Sequence, residues 1–408
     1  MEQNELNIKN KNEKKTGRGV SRLVLVLAVI LTAVFTAAVT VAGIALWLRS
    51  AGILGVSEMT ALIRGEYFYF DDRVENSEKL TTAALRAIAA SLDDPYAAYY
   101  TKEEYTRLLQ TDAGEYKGLG IVIQVPDETG SLIAAVYGGS TAESAGICPG
   151  DILTAANGTA TSGLTLEEVT ALLFLDGSEN ELTLLRDGSS YTVKVKADTV
   201  IVPATEYEML TDTAGYLRIT GFKGHAADET KQSIASMEEQ GMTELILDLR
   251  DNPGGSLNTV LEIADLFLEK DALITSVRSR SGREKEYKCA GDPVFQGKMC
   301  VLVNANSASA SELLTGALKD HGRAYIIGTQ TYGKGIVQTT FSLPATDGHV
   351  KFTTDAYYTP AGVCIQGEGI TPDEIAELPE EVSQAGIDLL PREKDTQLAA
   401  ALTYLNRN

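Results

Sequence analysis

The sequence predicts a multi-domain α/β protein behind one apolar N-terminal segment, and three observations predict it. Over residues 202–372, stretches with strand and helix patterns alternate, and the strand stretches are rich in Val, Ile and Leu. That pattern belongs to a mostly parallel, buried sheet. Over residues 116–201, short strand-like runs are separated by turns containing Gly, Asp and Asn, the mark of a separate small β-rich domain. Residues 23–48 form an uncharged, mostly apolar run of 26 residues. At about 1.5 Å per helical residue that exceeds a hydrocarbon core of roughly 30 Å. A chain of 408 residues has room for two or three ordinary domains.

Residues 1–22 are expected to be a cytoplasmic tail. They carry Lys9, Lys11, Lys14, Lys15, Arg18 and Arg22 against three Glu, while Arg49 is the single basic residue close behind the apolar run. Positive charge on the N-terminal side puts that side in the cytoplasm and the body outside the cell membrane. A cleaved signal peptide is the alternative, but its apolar stretch is usually only about 7–15 residues. Residues 23–48 therefore read as a retained, single-pass transmembrane anchor. The formal net charge is −21, and the part after Arg22 carries −24 because the first 22 residues are net positive by three. A body that acidic repels nucleic-acid phosphates, so no nucleic-acid partner is expected. Cys148, Cys289, Cys300 and Cys364 stand singly, with no C-x-x-C pair. This argues against a structural zinc site and leaves the pairing of the thiols open.

Residues 49–115 read as a helical N-terminal region. Within them, residues 77–92 carry an apolar stripe at Leu80, Ala84, Leu85, Ile88 and Leu92, close to a 3.6 period. Asp93-Asp94-Pro95-Tyr96 ends it. Residues 116–201 open on Gly118-Leu119-Gly120-Ile121 and continue through Ala145-Gly146-Ile147-Cys148-Pro149-Gly150-Asp151, an Asn157-Gly158 turn and a hairpin about Asp187-Gly188. The glycine-rich opening and the Pro-Gly-Asp turn, in that order, resemble a PDZ domain, a β-barrel or sandwich with two helices. Residues 202–378 hold the α/β alternation, and residues 379–408 form a helical tail whose last helix starts at Asp395 as its cap.

Three stretches of the α/β region sit at strand ends, where such sheets place their sites. Asn252-Pro253-Gly254-Gly255 follows a buried strand and offers backbone N–H groups to an anion. Ser307, Ser309 and Ser311 alternate before a helix, and Ser309 with Glu312 fits a capping box. A serine at a helix start also has N–H groups ready for a developing oxyanion. The third stretch, Gly328 to Gly335, nearly makes a phosphate-binding loop, but Gly335 replaces the hydroxyl residue that would hold a metal. Lys334 lies between two glycines, and on a strand it shares a face with Gln338. Taken alone, Lys334 is a solvated surface lysine. His225, His321 and His349 all sit in polar, turn-like contexts, which disfavours a Ser-His-Asp triad. A neutral lysine can activate serine instead, provided burial lowers its pKa from about 10.4.

Four ordered stretches, residues 245–255, 306–324, 328–339 and 357–373, resemble the carboxy-terminal processing (tail-specific) serine peptidases, and so does the segment at residues 92–105 ahead of the PDZ-like region. The resemblance runs from about residue 57 to 373. It implies Ser309 as nucleophile, Lys334 as general base and Gln338 as the residue orienting the lysine, with the N–H groups of Gly254 and Ala310 as oxyanion donors. It also implies a strand–helix spiral core and no metal or organic cofactor. The substrates it implies are proteins or peptides with accessible C-termini, captured at Gly118-Leu119-Gly120-Ile121, and it makes a homodimer through the terminal helices reasonable. The sequence departs from the family at Pro360-Ala361-Gly362-Val363-Cys364-Ile365-Gln366, where Pro-Ser-Gly-Arg-Ser-Ile-Gln is common. Cys148 likewise stands where a PDZ turn often carries a basic residue.

Overall fold

The structure, a computed structural model, describes residues 21–50, 53–66, 74–381, 386–387 and 390–407. Lys9, Lys11, Lys14, Lys15 and Arg18, and with them most of the expected cytoplasmic tail, lie outside the described residues. So do residues 382–385, 388–389 and 408 of the expected C-terminal tail.

The chain divides into two units at Ile88 and Ala89. The first holds α1 (Arg22–Ser50), α2 (Ile53–Glu66) and most of α3 (Val74–Ala90). Residues Arg22–Ile44 of α1 make a helix long and apolar enough to cross a membrane. The described side chains of α1 are exposed all round. An all-round apolar, exposed helix fits a signal anchor or a membrane span.

The second unit begins with β1 (Ala98–Tyr100) and α4 (Lys102–Asp112). A capping box starts α4: Thr101 Oγ1 accepts from Glu104 N at 3.3 Å, and Glu104 Oε2 accepts from Thr101 N at 2.9 Å. The expectation of an all-helical stretch over 49–115 is corrected by β1. It pairs antiparallel with residues 349–351 and buries Tyr99, because consecutive tyrosines suit a half-buried sheet edge better than a helix face.

The PDZ-like part contains β2 (Glu115–Gly118), β3 (Ile121–Ile123), β4 (Ser131–Val136), α5 (Thr141–Ser144), β5 (Ile152–Ala156), β6 (Thr159–Ala160), α6 (Leu166–Ala171), β7 (Glu179–Arg186), β8 (Ser189–Lys196) and β9 (Asp198–Ile201). Its sheet runs β3-β4-β5-β7-β8, with β6 on β5, while β2 and β9 pair as a two-stranded ribbon where the chain enters and leaves. Ile133, Leu153, Val169, Leu182 and Leu184 form its own core. The turns Asn157-Gly158 and Asp187-Gly188 both have positive φ at both positions, the two-residue geometry that matches strand twist.

The remaining elements are β10 (Thr205–Met209), β11 (Ala214–Ile219), α7 (Ala226–Glu239), β12 (Glu244–Asp248), α8 (Leu257–Asp265), β13 (Leu273–Ser279), β14 (Glu284–Lys288), β15 (Lys298–Val303), α9 (Ala310–Asp320), β16 (Tyr325–Gly328), β17 (Ile336–Leu343), β18 (Gly348–Tyr358), β19 (Glu374–Ile375) and α10 (Thr396–Leu405). A six-stranded sheet runs β10-β11-β12-β15-β16-β19, parallel except for β10. Alternate residues of its strands serve two cores. Leu217, Leu245, Leu247, Val301 and Val303 pack with α7, α8 and α9, while Tyr216, Ile246, Cys300 and Leu302 pack with α10. This two-sided burial explains the continuous apolar runs. Arg250, 1 % exposed, fastens α10 to the loop after β12 through Asp248, Asp395 and Gln397.

An antiparallel sheet, β1-β18-β13-β14 with β17 on β18, stands beside the parallel one. The alternation seen in the sequence passes over this sheet. Its strands come in two hairpins, β13–β14 and β17–β18, rather than alternating with helices, and their Thr and Lys content hides the period-2 signal.

Candidate active site

The site forms where the loops after β12 and β15 meet the start of β17. Ser309 is the residue before α9 and has φ 55° and ψ −112°, a region costly for any residue with a Cβ. That strain persists because the neighbours fix both sides of the residue. Ser309 N donates to Glu312 Oε2 at 2.9 Å, and Ser309 O accepts from Tyr357 Oη at 2.9 Å.

The same two side chains hold the lysine. Lys334 N donates to Glu312 Oε2 at 2.8 Å, and Lys334 O accepts from Tyr357 Oη at 2.5 Å. Glu312, fully buried, also accepts from Thr331 Oγ1 and Gly333 N, both at 2.6 Å. Four donors around one carboxylate satisfy its charge without a cationic partner. The glycines flanking Lys334 are required by close approach: a Cβ on Gly333 would lie 3.0 Å from Glu368 N, and one on Gly335 would lie 2.6 Å from Gln366 N.

Ser309, Ala310, Lys334 and Gln338 line one cavity of about 440 Å³ together with Phe222, Leu257, Val260, Leu313 and Ile336. The cavity therefore joins a polar end to an apolar pocket. None of the three histidines lines it. Desolvation by burial, reinforced by Lys351, pushes the Lys334 amine below its ordinary pKa, with Asp94 and Glu312 opposing. A lowered lysine pKa is what a base needs near neutral pH. Among the described residues, no hydrogen bond joins Ser309 Oγ to Lys334 Nζ. The amine stands instead over the Tyr96 ring, 4.0 Å from its centroid. Gln338 Nε2 donates to Thr353 Oγ1 at 3.2 Å.

The Asn252-Pro253-Gly254-Gly255 turn backs onto the serine. A Cβ on Gly254 would lie 2.7 Å from Ala308 O, 2.9 Å from Ser309 Cβ and 3.0 Å from Ala310 N, so only glycine permits this approach. Ala310 opens α9, and its N–H has no acceptor within the helix. The Gly254 N–H is engaged, donating to Asn252 Oδ1 at 2.9 Å. Of the two expected oxyanion donors, Ala310 is the one left open by helix geometry.

Sequence reasoning singled out the turn that holds Asn252 and the stretch that starts at Tyr357 but missed the contact of Asn252 with the Gly254 N–H and the Tyr357 bridge, and it saw Glu312 only as a helix cap. The spacing of Ser309, Glu312 and Gly333 carries no periodic signal, because the loops meet only in space.

At the PDZ-like opening, Gly120 has φ 85°, and a Cβ on it would lie 2.2 Å from Ser140 Cβ. The space freed by the glycine is thus filled by Ser140, the cap of α5, rather than left for an approaching chain. Leu119 is buried, and β3 ends the sheet order.

A strained serine, a partly desolvated lysine and a helix-start N–H around one cleft are the parts of an acyl-transfer site. Residues 213–376 match the model of Peptidase family S41, and residues 132–186 match that of the PDZ domain. A Staphylococcus aureus (strain MRSA252) protein described as "Probable CtpA-like serine protease" is 32% identical over 352 residues, spanning 84% of this chain and 68% of that protein. One from Staphylococcus saprophyticus with the same description is 35% identical over 336 residues, spanning 81% of this chain and 66% of that protein. A Bacteroides fragilis structure assigned to the S41 proteases superposes with a TM-score of 0.52 at 18% identity, covering 83% of this chain and 90% of that one, which shows a shared fold. The chain belongs to peptidase family S41. It spans about two thirds of the length of the curated relatives it matches.

Proposed function

We propose that the protein is a membrane-anchored, extracytoplasmic serine endopeptidase that cleaves protein substrates recognised near their C-termini. Ser309 Oγ attacks the scissile carbonyl carbon while neutral Lys334 takes its proton. The developing oxyanion meets the N–H of Ala310 and that of Gly254, the latter once Asn252 releases it. The leaving amine then takes the proton from Lys334, and water hydrolyses the acyl-enzyme with Lys334 again as base. Gln338 orients the lysine when the amine swings toward Ser309. The apolar wall of Phe222, Leu257, Val260 and Leu313 favours an uncharged side chain beside the cleaved bond.

The observation that carries this reading is the common clamp: Glu312 and Tyr357 each hold the peptide groups of both Ser309 and Lys334. Ser309→Ala and Lys334→Ala are each expected to abolish peptide cleavage while leaving the fold intact by circular dichroism. In the wild type, activity is expected to rise with pH as the amine, held below its ordinary pKa, loses its proton. Near-wild-type turnover in Lys334→Ala would remove the lysine from the mechanism.

The location rests on α1 and on the six basic residues ahead of its apolar run, Arg22 the last of them. Protease added to intact cells is expected to degrade the body and spare a tag placed before Met1. The reverse pattern would invert the topology.

A further inference from the structure

The segment Asp94–Tyr96 belongs to none of the expected catalytic stretches, yet it reaches the base. Asp94 Oδ1 accepts from Tyr96 N at 2.9 Å, and Asp94 Oδ2 accepts from Thr353 N at 2.8 Å. Thr353 in turn receives the hydrogen bond from Gln338. β1, two residues further on, pairs with β18. These contacts fix the segment to the strand bordering β17, and they set the face of the Tyr96 ring 4.0 Å from Lys334 Nζ. Burial, with Tyr332 alongside, pushes the Tyr96 phenol above its usual pKa, so the ring meets the amine as a neutral π face. Such a face attracts an ammonium ion and not a neutral amine.

We propose that Tyr96 is a positioning residue for Lys334: its ring holds the amine, as the ammonium ion, away from Ser309 and so sets how readily the base becomes available. The inference rests on the peptidase reading, because it concerns Lys334 as that reaction's base. Two effects compete at the amine. Desolvation and Lys351 on β18 favour the neutral form, whereas Tyr96, Asp94 and Glu312 favour the charged one. Removing only the ring's quadrupole, with the site kept dry, therefore lowers the amine's pKa. Opening the site to water would raise it.

The test uses the full chain in detergent, with ε-¹³C-lysine label for direct titration of the amine, its signal assigned by its loss in Lys334→Ala. The pH profile of peptide cleavage is measured alongside. Tyr96→Phe keeps the π face and is expected to leave both the titration and the acid limb of the profile where they are in wild type. Tyr96→Leu keeps the apolar cover without the quadrupole, and both readouts are expected to move to lower pH by about half to one unit. Tyr96→Met serves the same purpose should the Leu variant not fold. An unmoved amine titration in the Leu or Met variant overturns the proposal, as does an equal shift in the Phe variant. Cleavage that survives Lys334→Ala sinks the peptidase mechanism separately, while the amine titration still decides whether the ring acts on the lysine.

Discussion

Ser309 and Lys334 are 25 residues apart in the chain, and neither has a local reason to adopt its observed conformation. What holds them is Glu312, whose two oxygens accept from Ser309 N, Thr331 Oγ1, Gly333 N and Lys334 N. At Glu312→Gln the side chain keeps one acceptor and turns an NH₂ toward donors. At least two of the four donors then lose their partner in a buried site. Each unsatisfied buried donor costs about 1–3 kcal/mol, so with two of them the variant is expected to lose about 2–6 kcal/mol of stability by urea unfolding. Peptide cleavage should fall more steeply than stability alone accounts for, because the strained φ of Ser309 loses its anchor. Wild-type stability together with wild-type kcat/KM would show that Glu312 is an ordinary helix cap.

At the scale of elements, what the sequence made legible follows from where the physical signal is local. The apolar runs before Asp248 and through Val301 announce strands because both faces of that sheet are buried. The Asp187-Gly188 hairpin and the Asp395 cap of α10 announce themselves through residues that satisfy their own neighbours' backbone. β1 and the β17–β18 pair do not. β1 finds its partner only at residues 349–351, and His349 of β18 reads as part of a polar turn until Tyr100 is found opposite it in the sheet. The site divides in the same way. Ser309, Lys334 and the glycine turn stood out by motif, and the glycines proved to be required by close approach. The Asn252 contact to the Gly254 N–H and the Tyr357 bridge are products of folding, with no spacing that reveals them beforehand.

At the scale of the whole molecule, the question is how a substrate is chosen, and the PDZ domain frames it. Such a domain takes an extended chain end as an added strand, and backbone N–H groups capture its carboxylate. β3, which directly follows Gly118-Leu119-Gly120, closes the sheet order on one side, as strand addition requires. Glycine at 120 is demanded by Ser140 behind it, so the loop is held in shape before any ligand arrives, which lowers the ordering cost of binding. The acidic body, −24 after Arg22, disfavours acidic tails at long range and leaves small or apolar chain ends as the better ligands. Amidating the C-terminus of a good peptide substrate is therefore expected to weaken its binding by about 1–3 kcal/mol, the loss of hydrogen bonds to a charged acceptor. The measurement is kcat/KM for matched free-acid and amidated peptides on the intact chain, with Gly120→Val as a second arm. Valine at a φ of 85° pressed on Ser140 should deform the loop and erase the difference between the two peptides. Equal kcat/KM for both peptides on the unaltered protein would mean that the PDZ domain does not read the chain end, and that selection lies wholly in the cleft beside Ser309.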